Sequence, residues 1–428
     1  MALSDAVIEA LSPQVEQQTI KLVTGWLKDN KEIAATIASL ALGGNGLSSA
    51  VESMRWLATK ITDGKTPPTD PTSALNLLPI EQASEVVGAF ALTERLTGAE
   101  PGRNLREVDG KLEVVRPERR LGLGVTRVNG RPHPIVLLAS GGDKLPDWAT
   151  RDLGSLPKTL VVGQAAATIP QDNTKQPALT VPKNQHRPGR SVGHHRYNAG
   201  SIGAYVRVED DELERPVLGF LSASHVLSEM GRASRKDRLL SPGYPDCGPI
   251  RDGKFTYGTL ARWSELIHYA TATQADLIVN RADVALGYLD DDTLRVSNEV
   301  PDPNAPSKAL LPMTDHMTLV QMRDHTKQEV FIVGRTTSFG HGTLEATDIL
   351  EFPIKMPNGK NYMFGGLALV QSSDPERRFS QGGDSGAVVY ALKGNQCKAV
   401  GFIVGGSETH SYIVPADLCL TAMEASLL

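Results

Sequence analysis

Hydrophobic positions along this chain change period near its first quarter. In residues 17–29, 31–42, 48–62 and 81–97 apolar side chains recur at helical spacing. Gly43-Gly44-Asn45-Gly46 and Pro67-Pro68 punctuate them, which predicts an all-α bundle of five or six helices over 1–105. Beyond it the period shortens. Residues 120–127 and 135–139 read as two strands around an Asn129-Gly130 turn, and Leu160-Val161-Val162 as another, within a separate piece over 106–170. Residues 171–190, with Gln171, Lys175, Gln176, Pro177, Lys183, Gln185 and Pro188, read as an exposed tether or strap. Short apolar runs at 202–208, 330–333, 387–392 and 399–404 predict an all-β region over 191–428. Thr336-Thr337 and Gly340-His341-Gly342 read as turns within it.

Composition narrows the class. A chain of 428 residues with 40% hydrophobic content and a formal net charge of −5 fits a soluble protein of two or three domains and not a nucleic-acid binder. Its three cysteines, Cys247, Cys397 and Cys419, are odd in number and sparse, unlike a disulfide framework. No Cys/His spacing suggests zinc, and the adjacent His194-His195 pair lacks partners in sequence, so neither metal nor cofactor is expected. Gly122 and Gly124 lack the third glycine and following helix of a phosphate loop. The N-terminus shows no basic region followed by an apolar run, and no stretch is long enough to span a membrane, so a bacterial cytoplasmic location is expected.

The chemistry concentrates near the end. In Phe379-Ser380-Gln381-Gly382-Gly383-Asp384-Ser385-Gly386-Ala387-Val388-Val389-Tyr390 one serine sits in a glycine-flanked turn leading into an apolar strand, which is how a nucleophilic serine is presented. A Gly-Asp-Ser-Gly run alone is most often a simple turn. Here a base and an orienting acid have candidates upstream. His225 follows an apolar strand ending in small residues, Leu218-Gly219-Phe220-Leu221-Ser222-Ala223-Ser224, and Asp283 opens the apolar run Val284-Ala285-Leu286. Asp276, before Leu277-Ile278-Val279, competes with Asp283 for the acid.

In order, Ser224-His225-Val226-Leu227, Ala282-Asp283-Val284-Ala285-Leu286 and Gly382-Gly383-Asp384-Ser385-Gly386 resemble the trypsin-like serine peptidases of the chymotrypsin fold, in a bacterial intracellular branch. Supporting marks are Ala199-Gly200-Ser201-Ile202-Gly203-Ala204, Ser241-Pro242-Gly243-Tyr244-Pro245-Asp246 and Gly334-Arg335-Thr336-Thr337-Ser338-Phe339-Gly340. The resemblance covers about 191–428 and implies a double barrel, the first barrel carrying His225 and Asp283, the second Ser385. It implies a catalytic triad, His225, Asp283 and Ser385, with backbone N–H groups of Gly383 and Ser385 as the oxyanion hole. It also implies a substrate pocket from Phe379, Ser380 and Gln381 facing Val404, Gly405 and Gly406.

Two departures from that family stand out. Phe379 occupies the place where an aspartate would select Arg or Lys, and Glu408 would restore an acidic pocket only if its loop folds inward. No Ile-Val-Gly-Gly start is present to pair with Asp384 after cleavage. The nearest echo is Arg190-Ser191-Val192-Gly193, and otherwise internal groups must hold Asp384. The expected function is a serine endopeptidase acting on a protein or peptide. Residues 1–105 are either a plain structural cap on the protease or an adaptor for an effector partner that resembles, in architecture only, the death-fold or effector-associated modules of bacterial defence proteins, and residues 106–170 resemble the small α/β module that often precedes this peptidase branch. A catalytically silent scaffold that binds a peptide, and an esterase with the same triad, remain alternatives.

Overall fold

The computed structural model describes residues 105–108, 111–114, 121–128, 131–138, 158–163, 165–167, 185–209, 216–247, 256–268, 280–291, 293–350 and 352–428. The helices expected within 1–105 and the competing Asp276 lie outside them. The described residues fall into two compact units, one holding the strands up to Val161, the other made of Val162–His268, Asn280–Thr347 and Pro353–Leu428.

In the first unit β1 (Leu105–Val108) pairs antiparallel with β2 (Lys111–Val114), and β3 (Leu121–Val128) with β4 (Arg131–Leu138). Val128 stands opposite Arg131 in that register, and the expected Asn129-Gly130 turn lies outside the described residues. β5 (Lys158–Val161) runs parallel to β4.

The second unit is built almost wholly from strands. Two short ones, β6 (Ala165–Ala166) and β7 (Gln185–His186), precede β8 (Ser191–His194), β9 (Gly200–Ser201), β10 (Ala204–Val208), β11 (Val217–Ser222), β12 (Arg238–Leu240), β13 (Thr256–Trp263) and β14 (Ala285–Leu289). Strands β10, β11, β14, β13, β12, β8 and β9 pair in that order. Because β9 runs on into β10 through Ile202-Gly203, the sheet returns to its start, and Ile202 N donates to Arg190 O at 2.8 Å. The result is a first barrel, its interior filled by Val192, Ile202, Phe220, Leu239 and Leu260. The last residues of the tether read over 171–190 already belong to this unit: β7 pairs with β15 (Arg295–Val296), and His186 stacks on Tyr257.

After the hairpin of β16 (Glu299–Pro301) and β17 (Leu310–Pro312) and the short β18 (Asp315–His316), the chain enters β19 (Glu329–Val333) and β20 (Gly340–Leu350). It continues through β21 (Phe352–Lys355), β22 (Asn361–Phe364), β23 (Leu367–Ser372), β24 (Val388–Lys393), β25 (Gln396–Gly406) and β26 (His410–Pro415). The pairs β19–β20, β20–β23, β23–β26, β26–β25, β25–β24 and β24–β19 close a ring of six. Val and Ile from these strands meet inside it, as Val330, Ile332, Val389, Ile403 and Ile413 do, so this second barrel has an apolar core. The terminal β27 (Ala425–Leu427) returns to pair with β10 of the first barrel.

One expected turn is a strand. Gly340-His341-Gly342 opens β20, with Val330↔Gly342 and Ile332↔Gly340 in register, because the turn ends at Phe339, the Ile332 side chain and the Phe379 carbonyl crowd Gly340, and the Phe379 ring fills the space beside Gly342. A Cβ on Gly342 would lie 2.6 Å from the Phe379 ring.

Candidate active site

The pairing of β11 with β14 brings two separated segments together. Ser222 at the end of β11 stands opposite Ala285 at the start of β14. The chain leaves β11 into a one-turn helix, Ser224–Leu227, and enters β14 from Asp283, so His225 and Asp283 meet. The His225 Nδ1 and Asp283 Oδ2 lie 2.5 Å apart, and the His225 backbone N–H donates to Asp283 Oδ1 at 3.0 Å. Both side chains are buried, at 1% and 2% residue exposure. A carboxylate that grips both ring and main chain fixes the imidazole's orientation and leaves Nε2 to accept a proton. Cys419 packs close by, its thiol pushed up by burial and by the Asp283 charge.

From the second barrel, the turn that carries Ser385 packs against the segment that leads to His225. Its turn depends on Gly383 and Gly386, both at positive φ, +96° and +81°. A Cβ on Gly386 would lie 2.5 Å from Ser222 Oγ and 2.6 Å from Ala223 N, so only glycine lets the turn press against the segment that leads to His225. Ser201 ties the turn down on its other side. Its N–H donates to Ser385 O at 2.9 Å, its hydroxyl donates to Gly383 O at 3.1 Å, and its carbonyl accepts from Ser222 Oγ at 2.7 Å. Among the described residues, no hydrogen bond joins Ser385 Oγ to His225 and none uses the N–H of Gly383 or Ser385. Those two N–H groups belong to a turn whose carbonyls, at Gly382 and Gly383, accept from Thr336 Oγ1 and Ser201 Oγ.

Asp384 is held from within. Its fully buried carboxylate accepts from Thr336 N at 2.7 Å, Thr337 N at 3.1 Å, Gln381 N at 2.9 Å and Thr337 Oγ1 at 2.5 Å. Burial pushes this carboxyl up, and the four donors oppose that push. Ser191-Val192-Gly193, the nearest echo of a freed N-terminus, is buried strand, with Ser191 Oγ donating to Asp246.

The remaining pocket residues have different fates. Ser380 is buried and shares a 2.7 Å hydrogen bond with Ser411, Gln381 is exposed, and Phe379 belongs to the second-barrel core. Val404 and Gly405 are buried on β25, with Gly406 half-buried at its end. Glu408 points to solvent and pairs with Arg378, so its charge is answered at the surface.

Sequence reading left three contributors without a role. Ser201, Arg335 and Asp246 lie within stretches noted only as marks of resemblance, yet they come together. Arg335 Nε donates to Asp246 Oδ2 at 2.6 Å, its Nη2 donates to Asp246 Oδ1, and its backbone N–H donates to Ser201 Oγ at 2.9 Å. Arginine and aspartate in one chain carry no pairing signal until the fold is known. His194 also has partners that are distant in sequence: Glu229 at 2.9 Å and Asp237 at 3.1 Å from its two ring nitrogens. Among the described residues no His, Cys, Asp or Glu cluster is arranged to hold a metal, the three cysteines form no disulfide, and no helix is long and apolar enough to cross a membrane.

No protein-family model matches the chain, and no curated protein matches it. Among solved structures it is similar to Protease A of Thermobifida fusca, at 19% identity over 57% of this chain and 98% of that one, with a TM-score of 0.36. The Nocardiopsis protease gives 16% identity over 57% and 98%, TM-score 0.37. Cellulomonas bogoriensis chymotrypsin gives 18% over 57% and 98%, TM-score 0.34. Likeness at this level says nothing of activity.

Proposed function

We propose that the chain is a serine endopeptidase in which His225 takes the Ser385 proton during attack on a peptide carbonyl and returns it to the leaving amine. Asp283 stabilises the imidazolium, and the N–H groups of Gly383 and Ser385 receive the oxyanion. The observation that carries this reading is the buried grip of Asp283 on both the ring and the main chain of His225. A buried imidazole on a buried carboxylate, next to a serine turn pinned by Ser201, suits proton transfer better than it suits packing. Ser380, Gln381 and the edge Val404-Gly405-Gly406 serve the acyl side of the substrate, and Phe379 acts from the core behind them. Residues 1–105 are assigned the recruitment of a protein partner, in the bacterial cytoplasm and in defence. A chain lacking them should cleave model peptides with unchanged kcat/KM and lose preference for a natural partner; equal preference would sink that assignment.

The test of the chemistry is labelling of the full chain by a fluorophosphonate, beside Ser385→Ala and His225→Ala. Labelling that disappears in both variants is expected. The unbonded Ser385 hydroxyl favours a second reading, a catalytically silent peptide-binding scaffold, and absence of labelling in the unaltered protein would select it.

A further inference from the structure

Strand β25 has two edges, and near Ser385 both are taken. On one edge it pairs with β18 at Lys398 and Ala399 and then with β26, ending at Gly405↔Tyr412 and Gly406↔Ser411. On the other it pairs with β24 as far as Phe402. There Gly386 N donates to Ile403 O at 2.8 Å and Ile403 N to Ala387 O at 3.0 Å, after which the serine turn leads β24 away. The edge at Val404-Gly405-Gly406 therefore opens within one residue of Ser385. An extended peptide whose carbonyl is to meet Ser385 Oγ can add a strand to β25 there.

That edge carries a segment of the chain itself. Ala166 stands antiparallel to Gly406, and since Ser411 occupies the β26 side of Gly406, Ala166 lies on the open edge. A Cβ on Gly405 would lie 2.8 Å from Ala166 O, so the backbones are in close contact. On its far side β6 pairs with β21, and Ala167 N donates to Lys355 O at 2.9 Å. The segment runs from Val162, whose carbonyl accepts from Thr409 Oγ1 at 3.5 Å, toward Gly405, which is toward Ser385. Val162, Ala165 and Ala167 are all buried, at 0%, 1% and 4% exposure.

We infer that β6, with Ala167 after it, is a built-in strand that fills the acceptor edge for extended peptides and must be displaced before such a substrate can bind. The inference rests on the hydrolase reading and adds regulation to the same site. A small acyl reagent needs Ser385 and His225 but no strand edge, whereas a peptide with several residues on its acyl side needs both. Alanines at 165, 166 and 167 give the strand backbone pairing with little side-chain anchorage, which suits a segment that exchanges with another strand.

The full chain and Ala166→Pro are compared on two reagents: a small activated ester and a hexapeptide amide cleaved at its C-terminal end. Proline removes the N–H of Ala166 and bends the strand out of register. The expected result is a KM for the hexapeptide lower by about tenfold in the variant, the scale of one or two lost backbone hydrogen bonds. Ester turnover should stay the same. Equal hexapeptide KM in the two chains overturns the inference. Should the variant fail to fold, amide hydrogen exchange in Ser385→Ala with saturating hexapeptide decides: faster exchange at 165–167 supports displacement, and unchanged or slower exchange overturns it. No ester turnover and no fluorophosphonate labelling would remove the hydrolase reading, and the exchange experiment would still score occupancy of the edge.

Discussion

Arg335, in the turn after β19 in the second barrel, makes a two-pronged ion pair with Asp246, from the connection after β12 in the first barrel, and Ser191 of β8 donates to the same carboxylate. The Arg335 side chain is 5% exposed and that of Asp246 25%. Burial pushes the Asp246 carboxyl up, while the hydrogen bonds of Arg335 and Ser191 and the Arg335 charge pull it down and prevail, leaving it below the ordinary carboxylate value.

Removing one partner strands the other. Arg335→Met should destabilise the protein by about 3 kcal/mol, because the Asp246 charge is left partly buried without its cation. Asp246→Asn should cost a similar amount, and the double variant less than the sum of the two. Denaturant unfolding checks this, and full additivity would mean that the pair is not coupled. The sign of the pH effect follows from the depressed folded value. The pair's contribution is complete above the ordinary carboxylate value and fades as pH falls through the lower folded one, so its loss is confined to strong acid.

His410 predicts the opposite end of the acid range. It is 3% exposed, and burial lowers its imidazole to about 4, with Glu345 raising it and Lys327 lowering it by smaller amounts. A histidine lowered on folding supports the fold fully above its ordinary value of about 6.5, and that support is lost as pH falls from there toward 4. Relative to His410→Gln, the unaltered protein should lose on the order of 3 kcal/mol across this window. Parallel stability curves for the two proteins between pH 7 and 4 would show that His410 does not titrate in this way.

Gly386 offers a steric test. Gly386→Ala adds a methyl 2.5 Å from Ser222 Oγ and 2.6 Å from Ala223 N, at a φ that alanine avoids. Fluorophosphonate labelling should fall at least 100-fold, with thermal unfolding lowered by several degrees. Labelling at the original rate would mean that the turn can move without disturbing Ser385.

The strands were legible because their side chains announce them. Val388-Val389-Tyr390-Ala391 and Ala399-Val400-Gly401-Phe402 are continuous apolar runs, and β24 and β25 form there. Asp283 was legible by its position before Val284-Ala285-Leu286, and that position puts it beside His225 once β11 and β14 pair. Gly340-His341-Gly342 misled because two glycines read as a turn when their neighbours are unknown. Phe379 supplies the missing bulk from another strand connection. Ser201 and Ala165-Ala166 were illegible for a different reason. Small residues carry almost no periodic signal, and their importance here comes from which backbones they touch.

Ser201 gives the molecule a built-in reporter. One hydroxyl accepts from Arg335 N and donates to Gly383 O, and the same residue's N–H holds Ser385 O. The seam between the barrels and the shape of the serine turn therefore share atoms. Slight parting of the barrels would spoil the turn before either core is wetted. On the proposed reading, fluorophosphonate labelling of Ser385 should then vanish on heating ahead of the main unfolding transition, making that label a thermometer for the seam.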